Sequence, residues 1–67
     1  MNKGIIGFRL KAARIHKGYS LTELSKETGV SRPTLSRYEN GIVYPSLPTA
    51  VLIAKALDVD LNYLGGM

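Results

Sequence analysis

Cysteine is absent from the 67 residues, histidine occurs once, and only five carboxylate side chains are present. Without cysteine there is no disulfide and no thiolate metal site to brace so short a chain, so its stability must come from packed apolar side chains. His16 has no second imidazole and no thiol with which to hold a metal. It falls near the expected end of a helix, where a cation is favoured, and reads as a solvated residue. The scattered Asp and Glu offer no general acid–base pair and no activated nucleophile, which argues against an enzyme and gives no reason to expect a cofactor or small-molecule ligand. Long apolar runs are also missing. The longest, Ala50 to Ala54, falls far short of the roughly 20 residues that span a bilayer. No leader-like segment is visible, so a cytoplasmic protein with no membrane partner is expected. No repeat, low-complexity tract or linker interrupts the chain, which is expected to be one domain over residues 1–67 with its core between about 5 and 64.

Basic charge is what the sequence has in excess. Residues 1–37 hold eight Lys and Arg against two Glu, whereas residues 38–67 hold one Lys against three acidic side chains. Basic charge gathered in one half predicts a polyanionic partner facing that half.

The apolar residues recur with helical, not strand, spacing. Ile6, Leu10 and Ala13 mark one stripe of a first helix expected from about Ile5 to Lys17, stopped at Gly18. Arg14 follows Leu10 by four and so falls on that stripe, where a charge needs a partner. Ser20, with Glu23 three residues on, forms a capping box, and Tyr19 and Leu24 stand at the positions of a hydrophobic staple. Ser31 repeats the signal, with Val30 and Leu35 as its staple and Pro33 in the first turn, where a missing N–H costs little. Only Gly29 and Val30 separate Thr28 from the Ser31 cap. A left-handed residue there forces two short helices to meet at a sharp angle.

Residues 20–41 therefore predict a helix-turn-helix unit. On its second helix Leu35 and Tyr38 point inward. Arg32, Pro33, Ser36 and Arg37 share the opposite side, a small, polar, arginine-bearing face suited to a DNA major groove. Glu39 lies toward the core, four residues after Leu35, and Arg14 is its natural counter-ion, which predicts a structural ion pair. Ser46 caps a fourth helix with Pro48 in its first turn and Leu47, Ala50, Ile53, Ala54 and Leu57 as its inward stripe. Asp60 caps a short fifth helix containing Leu61 and Leu64, and Gly65-Gly66-Met67 reads as a frayed end. The fold class is all-α, a compact bundle of four to five short helices.

The segments Gly29-Val30-Ser31-Arg32, Leu35-Ser36-Arg37, Tyr38-Glu39-Asn40-Gly41, Pro45-Ser46 and Ala54-Lys55-Ala56-Leu57-Asp58-Val59 together resemble the Cro/repressor-type helix-turn-helix family, the phage-repressor-like DNA-binding domains of bacteria and phages. The resemblance spans about Ile6 to Leu64. It implies a lambda-repressor-like domain whose base-facing positions are Arg32, Pro33, Ser36 and Arg37. It also implies that Ser31, Thr34 and Asn40 touch phosphate or flank the groove, and that Arg14 and Glu39 are the family's structural pair. Ser20, Lys11 and Lys17 complete the expected phosphate-contacting set, with Lys26 as a further source of diffuse attraction.

Two departures from the family pattern stand out. Leu21 occupies a position where relatives very often carry a glutamine that bonds phosphate. The loop Ile42-Val43-Tyr44 is apolar where relatives are polar or basic, and Leu52 falls where a charge is common. Ile42, Val43, Tyr44 and Leu52 are thus a candidate dimer surface, although Ile42 and Tyr44 could instead fold over the small core. The expected function is sequence-specific binding of double-stranded DNA by a transcriptional regulator of the repressor type. It would act as a homodimer on a palindromic operator with half-sites one turn apart. The alternative is a protein-binding adaptor or antitoxin-like module on the same scaffold.

Overall fold

The computed structural model describes residues 2–65. It contains α1 (Lys3–Lys17), α2 (Leu21–Thr28), α3 (Arg32–Glu39), α4 (Leu47–Leu57) and α5 (Leu61–Gly65), with no strand among the described residues. Each of the first four helices sends one side chain to full burial at the centre: Leu10, Leu24, Leu35 and Ile53. Burying a side chain of that size stabilises by about 1.5–3 kcal/mol, so these four supply a substantial share of the stability. Ala13, Tyr38, Ala54, Leu57 and Leu64 close around them, and Tyr19, Leu21 and Val30 pack against the outside. The outer members of both expected staples, Tyr19 and Val30, thus pack against the cluster that holds Leu24 and Leu35. Helix α1 rests on α3 and α5, and α2 on α3 and α4.

The turn between α2 and α3 follows its sequence signals. Gly29 adopts φ 76° and its N–H reaches the Ser25 carbonyl at 2.8 Å. Thr28 Oγ1 donates to the Leu24 carbonyl at 2.8 Å and accepts the Val30 N–H at 3.2 Å. The backbone groups freed by the sharp turn are thus satisfied locally.

Three expectations need correction. Helix α1 begins two residues earlier than its periodicity predicts, because Asn2 acts as its cap: Asn2 Oδ1 accepts the Ile5 N–H at 2.8 Å. Leu47 is not part of the inward stripe of α4. It stands 66% exposed in the first turn of the helix, at the rim of an apolar cavity shared with α1 and α5, while Ile53, Ala54 and Leu57 are buried. Gly65 is the last residue of α5; Gly66 and Met67 lie outside the described residues. The cap of α5 forms as expected, with the Asn62 N–H donating to Asp60 Oδ1 at 2.8 Å.

Gly7 has a role that its low helix propensity hides. It is buried where α1 crosses the end of α3, and a Cβ built there would lie 2.4 Å from the Tyr38 carbonyl oxygen and 2.6 Å from that of Glu39. The two backbones touch only because no side chain intervenes.

Candidate nucleic-acid interface

The proposed reading face stands on α3, which is capped by Ser31. Ser31 Oγ accepts the Thr34 N–H at 3.3 Å and donates to Thr34 Oγ1 at 2.8 Å. Arg32, Pro33 and Arg37 are exposed, Ser36 is half-buried beside them, and Leu35 and Tyr38 are buried on the opposite side. The four expected base-facing residues thus share one outward face. The Arg37 side chain makes no hydrogen bond or ion pair to any described residue. Arg32 is steadied from the neighbouring helix, its Nη1 donating to Thr22 Oγ1 at 3.1 Å. Asn40 Nδ2 donates to Ser36 Oγ at 3.2 Å, which ties an expected phosphate contact to an expected base contact.

What fixes this face in space is the pair expected from periodicity. Arg14 Nε donates to Glu39 Oε2 at 2.7 Å and Nη2 to Oε1 at 3.2 Å, while Nη1 donates to the Tyr19 carbonyl at 2.8 Å. The two side chains are 12% and 5% exposed. One guanidinium therefore joins α1, the turn into α2 and the last residue of α3. A two-pronged pair of this kind gives direction as well as attraction.

Ser20 caps α2 in both senses of a capping box. Its Oγ accepts the Glu23 N–H at 3.0 Å, and its own N–H donates to Glu23 Oε1 at 2.9 Å. The backbone N–H and then the hydroxyl of Ser20 hold the Glu23 carboxyl below the ordinary glutamate range, with a smaller pull from Lys26. The folded state thus favours the charged form, so its contribution is present above the ordinary glutamate value and is lost as pH falls through the depressed folded value. In an NMR carboxyl titration, Glu23 should titrate below an unstructured glutamate, and Ser20→Ala, which keeps the backbone N–H but removes the hydroxyl, should move it part of the way back up. An unshifted titration would remove the capping interaction.

Lys11 and Lys17 are exposed on α1, on a different helix from the reading face, and Lys26 is exposed on α2. Lys17 lies in the last turn of α1, three residues before the α2 cap; Lys11 lies farther along the helix. Leu21 is half-buried against the core, which explains why an apolar residue suits that position. Ile42, Val43, Tyr44 and Leu52 are 59%, 40%, 51% and 50% exposed. Tyr44 and Leu47 border an apolar cavity of about 340 Å³ between α1, α4 and α5. The Thr22–Arg32 contact and this cavity were not legible in the sequence. Among the described residues no His, Asp and Glu cluster could hold a metal, and no helix is long and apolar enough to cross a membrane.

A domain of five short helices, with an exposed arginine-bearing second helix of a sharp helix-turn-helix, defines a class. The chain belongs to the helix-turn-helix family HTH_3, whose profile matches residues 10–64. A protein of Pyrococcus horikoshii is 44% identical over 57 residues, covering 85% of this chain and 18% of the relative. The HTH-type transcriptional regulator SinR of Bacillus subtilis is 38% identical over 61 residues, covering 90% of this chain and 55% of the regulator. The chain thus spans from about a fifth to about half the length of these curated relatives. SinR solved in complex with DNA superposes with a TM-score of 0.83 at 38% identity, covering 88% of this chain and 95% of that one. The restriction-modification controller protein C.AhdI from Aeromonas hydrophila superposes with a TM-score of 0.87 at 31% identity, covering 92% and 94%.

Proposed function

We propose that this chain is a single DNA-binding domain that reads double-stranded DNA with α3 in the major groove, as a transcriptional regulator of the repressor type and not as an enzyme. The observation that carries the reading is the outward face of α3. Arg37 is exposed with no partner among the described residues, and Arg32 is held beside it on a helix pinned at its far end by Arg14 and Glu39. The likeness to SinR, a regulator solved with DNA, supports the same reading. Arg32 and Arg37 each suit the O6 and N7 acceptors of guanine, Pro33 suits a thymine methyl, and Ser36 suits several bases. Ser20, Ser31, Thr34, Asn40, Lys11 and Lys17 contribute phosphate contacts that position the domain without reading sequence. The reading places the protein in the cytoplasm of a bacterium or a phage-infected cell and requires no cofactor, metal or small-molecule ligand.

Selection from a random oligonucleotide pool should enrich one site. On that duplex Arg37→Ala should lose about 1–3 kcal/mol while binding to random duplex changes far less. Equal losses on both would remove base reading at Arg37. Affinity should fall steeply with salt.

One small domain contacts too few bases for useful specificity, which favours a homodimer on a palindromic site. Ile42, Val43, Tyr44 and Leu52 are each apolar and exposed, which suits a contact between copies. Sedimentation with a palindromic duplex should give two chains per duplex, and Leu52→Glu should reduce this to one. A strict one-to-one complex of the unaltered chain would rule the dimer out.

A further inference from the structure

Helix α1 is apolar on two faces. Ile6, Leu10 and Ala13 face the core, together with Gly7. On the reverse, Ile5, Phe8, Ala12 and Ile15 follow one another at spacings of three, four and three, and Ile5, Phe8 and Ile15 are 40%, 73% and 59% exposed. At 100° per residue this second stripe lies directly opposite the first. Single exposed apolar residues are ordinary; a seam repeating every 3.5 residues over three turns has the spacing with which helices pair by knobs into holes. Nothing in the described chain covers it.

The residues bordering the seam say what covers it. Arg9 and His16 lie along one edge and Lys11 along the other, and α1 contains no acidic residue. Arg9 is held at the border, its Nη1 donating to the Tyr63 carbonyl at 2.9 Å and its guanidinium 5.4 Å from the Tyr63 ring centre. Lys11 and His16 have no partner among the described residues. A second copy of α1 laid along the seam, parallel or antiparallel, would set cation against cation at both edges, and like charges at such flanks select against a pairing. We infer that the outer face of α1 is a docking surface for an amphipathic helix of another polypeptide, one with apolar residues at three- and four-residue spacing and Asp or Glu along both edges. This surface lies on a different helix from the one that reads DNA. Of its border residues only Lys11 is also an expected phosphate contact, so the proposal stands or falls independently of base reading by α3.

The full chain tests this with two synthetic helical peptides of about three heptads. Both carry leucine along the seam; one carries glutamate at the flanking positions and the other lysine. Titrated into the isotope-labelled protein, the glutamate peptide should shift the amides of residues 5–16, and its binding should weaken as salt rises. Phe8→Gln and Ile15→Gln should each weaken it by about tenfold. Both side chains are largely exposed, so both variants should keep the melting temperature and the affinity for the selected duplex. The lysine peptide should bind at least about tenfold more weakly. Three results would overturn the proposal: no shifts on α1, equal binding of the two peptides, or shifts confined to residues 42–52. Self-association of the free chain that Phe8→Gln abolishes would overturn it as well, by making a second copy the occupant.

Discussion

Gly7→Ala should destabilise the domain by about 3 kcal/mol or more, lowering the melting temperature by roughly 15 °C. Helix propensity argues the other way, since alanine in a helix interior is favoured over glycine by up to about 1 kcal/mol. Contact decides the sign. The new Cβ would stand 2.4 Å and 2.6 Å from two carbonyl oxygens of α3. Those oxygens belong to a backbone that cannot swing aside as a side chain would, so α1 must lift from α3 and loosen Leu10 and Leu35 against each other. A domain of this size holds only about 3–10 kcal/mol in total, so the loss reaches a large part of it. Gly4→Ala, one turn earlier, is the control. Its Cβ would meet only Asn2 Oδ1 at 3.3 Å, and it should be neutral or mildly stabilising. Thermal unfolding followed by circular dichroism separates the two, and an unchanged midpoint for Gly7→Ala would mean that α1 does not seat on α3 as described.

Glu39→Ala should cost about 3–5 kcal/mol, because it leaves the Arg14 guanidinium largely buried with only the Tyr19 carbonyl for a partner. The size of the loss does not measure what the pair adds. Replacing both residues together, Arg14→Met with Glu39→Leu, removes the stranded charge as well as the attraction, and most of the stability should return. A double-mutant cycle by urea denaturation should therefore give a large coupling energy. Additive single losses would show that the two side chains act separately. If the pair serves chiefly to aim α3, the double variant should fold well yet bind the selected duplex less tightly.

Much of this scaffold could be read in advance, because the signals were local. Ser20 with Glu23, Ser31 with Pro33 and the two residues between Thr28 and Ser31 each dictate their own few ångströms of chain. The Arg14–Glu39 pair was legible for a different reason: a charge on an apolar stripe must be answered, and only Glu39 lay on a stripe facing it. The early start of α1 was a local cap at Asn2; the other misses are places where periodicity says which way a residue points but not what it meets. Leu47 falls near the line of the α4 stripe, yet it stands at the open mouth of the cavity between α1, α4 and α5 and stays exposed. Gly7 looks like a weak helix residue until α3 is laid across it. Thr22 and Arg32 lie ten residues apart on different helices, and only the angle between α2 and α3 brings them to 3.1 Å. The outer seam of α1 shares its repeat of about 3.5 residues with the inner one, so the pattern alone marks a helix without saying that two of its faces are apolar.

The caps of the two short helices leave different numbers of main-chain protons for an incoming anion. In α3 the second residue is Pro33, which has none, and the amide of Thr34 is already taken by Ser31 Oγ; of the first turn only the Arg32 amide is left over. In α2 the amides of both Leu21 and Thr22 are uncommitted, since a helix's first residues have no carbonyl behind them. A sugar-phosphate strand running past the domain would thus be gripped by main chain at the start of α2 and barely at all at the start of α3. Leucine at position 21 would then forgo only the extra bond a glutamine side chain could add, while the two main-chain donors stay in place.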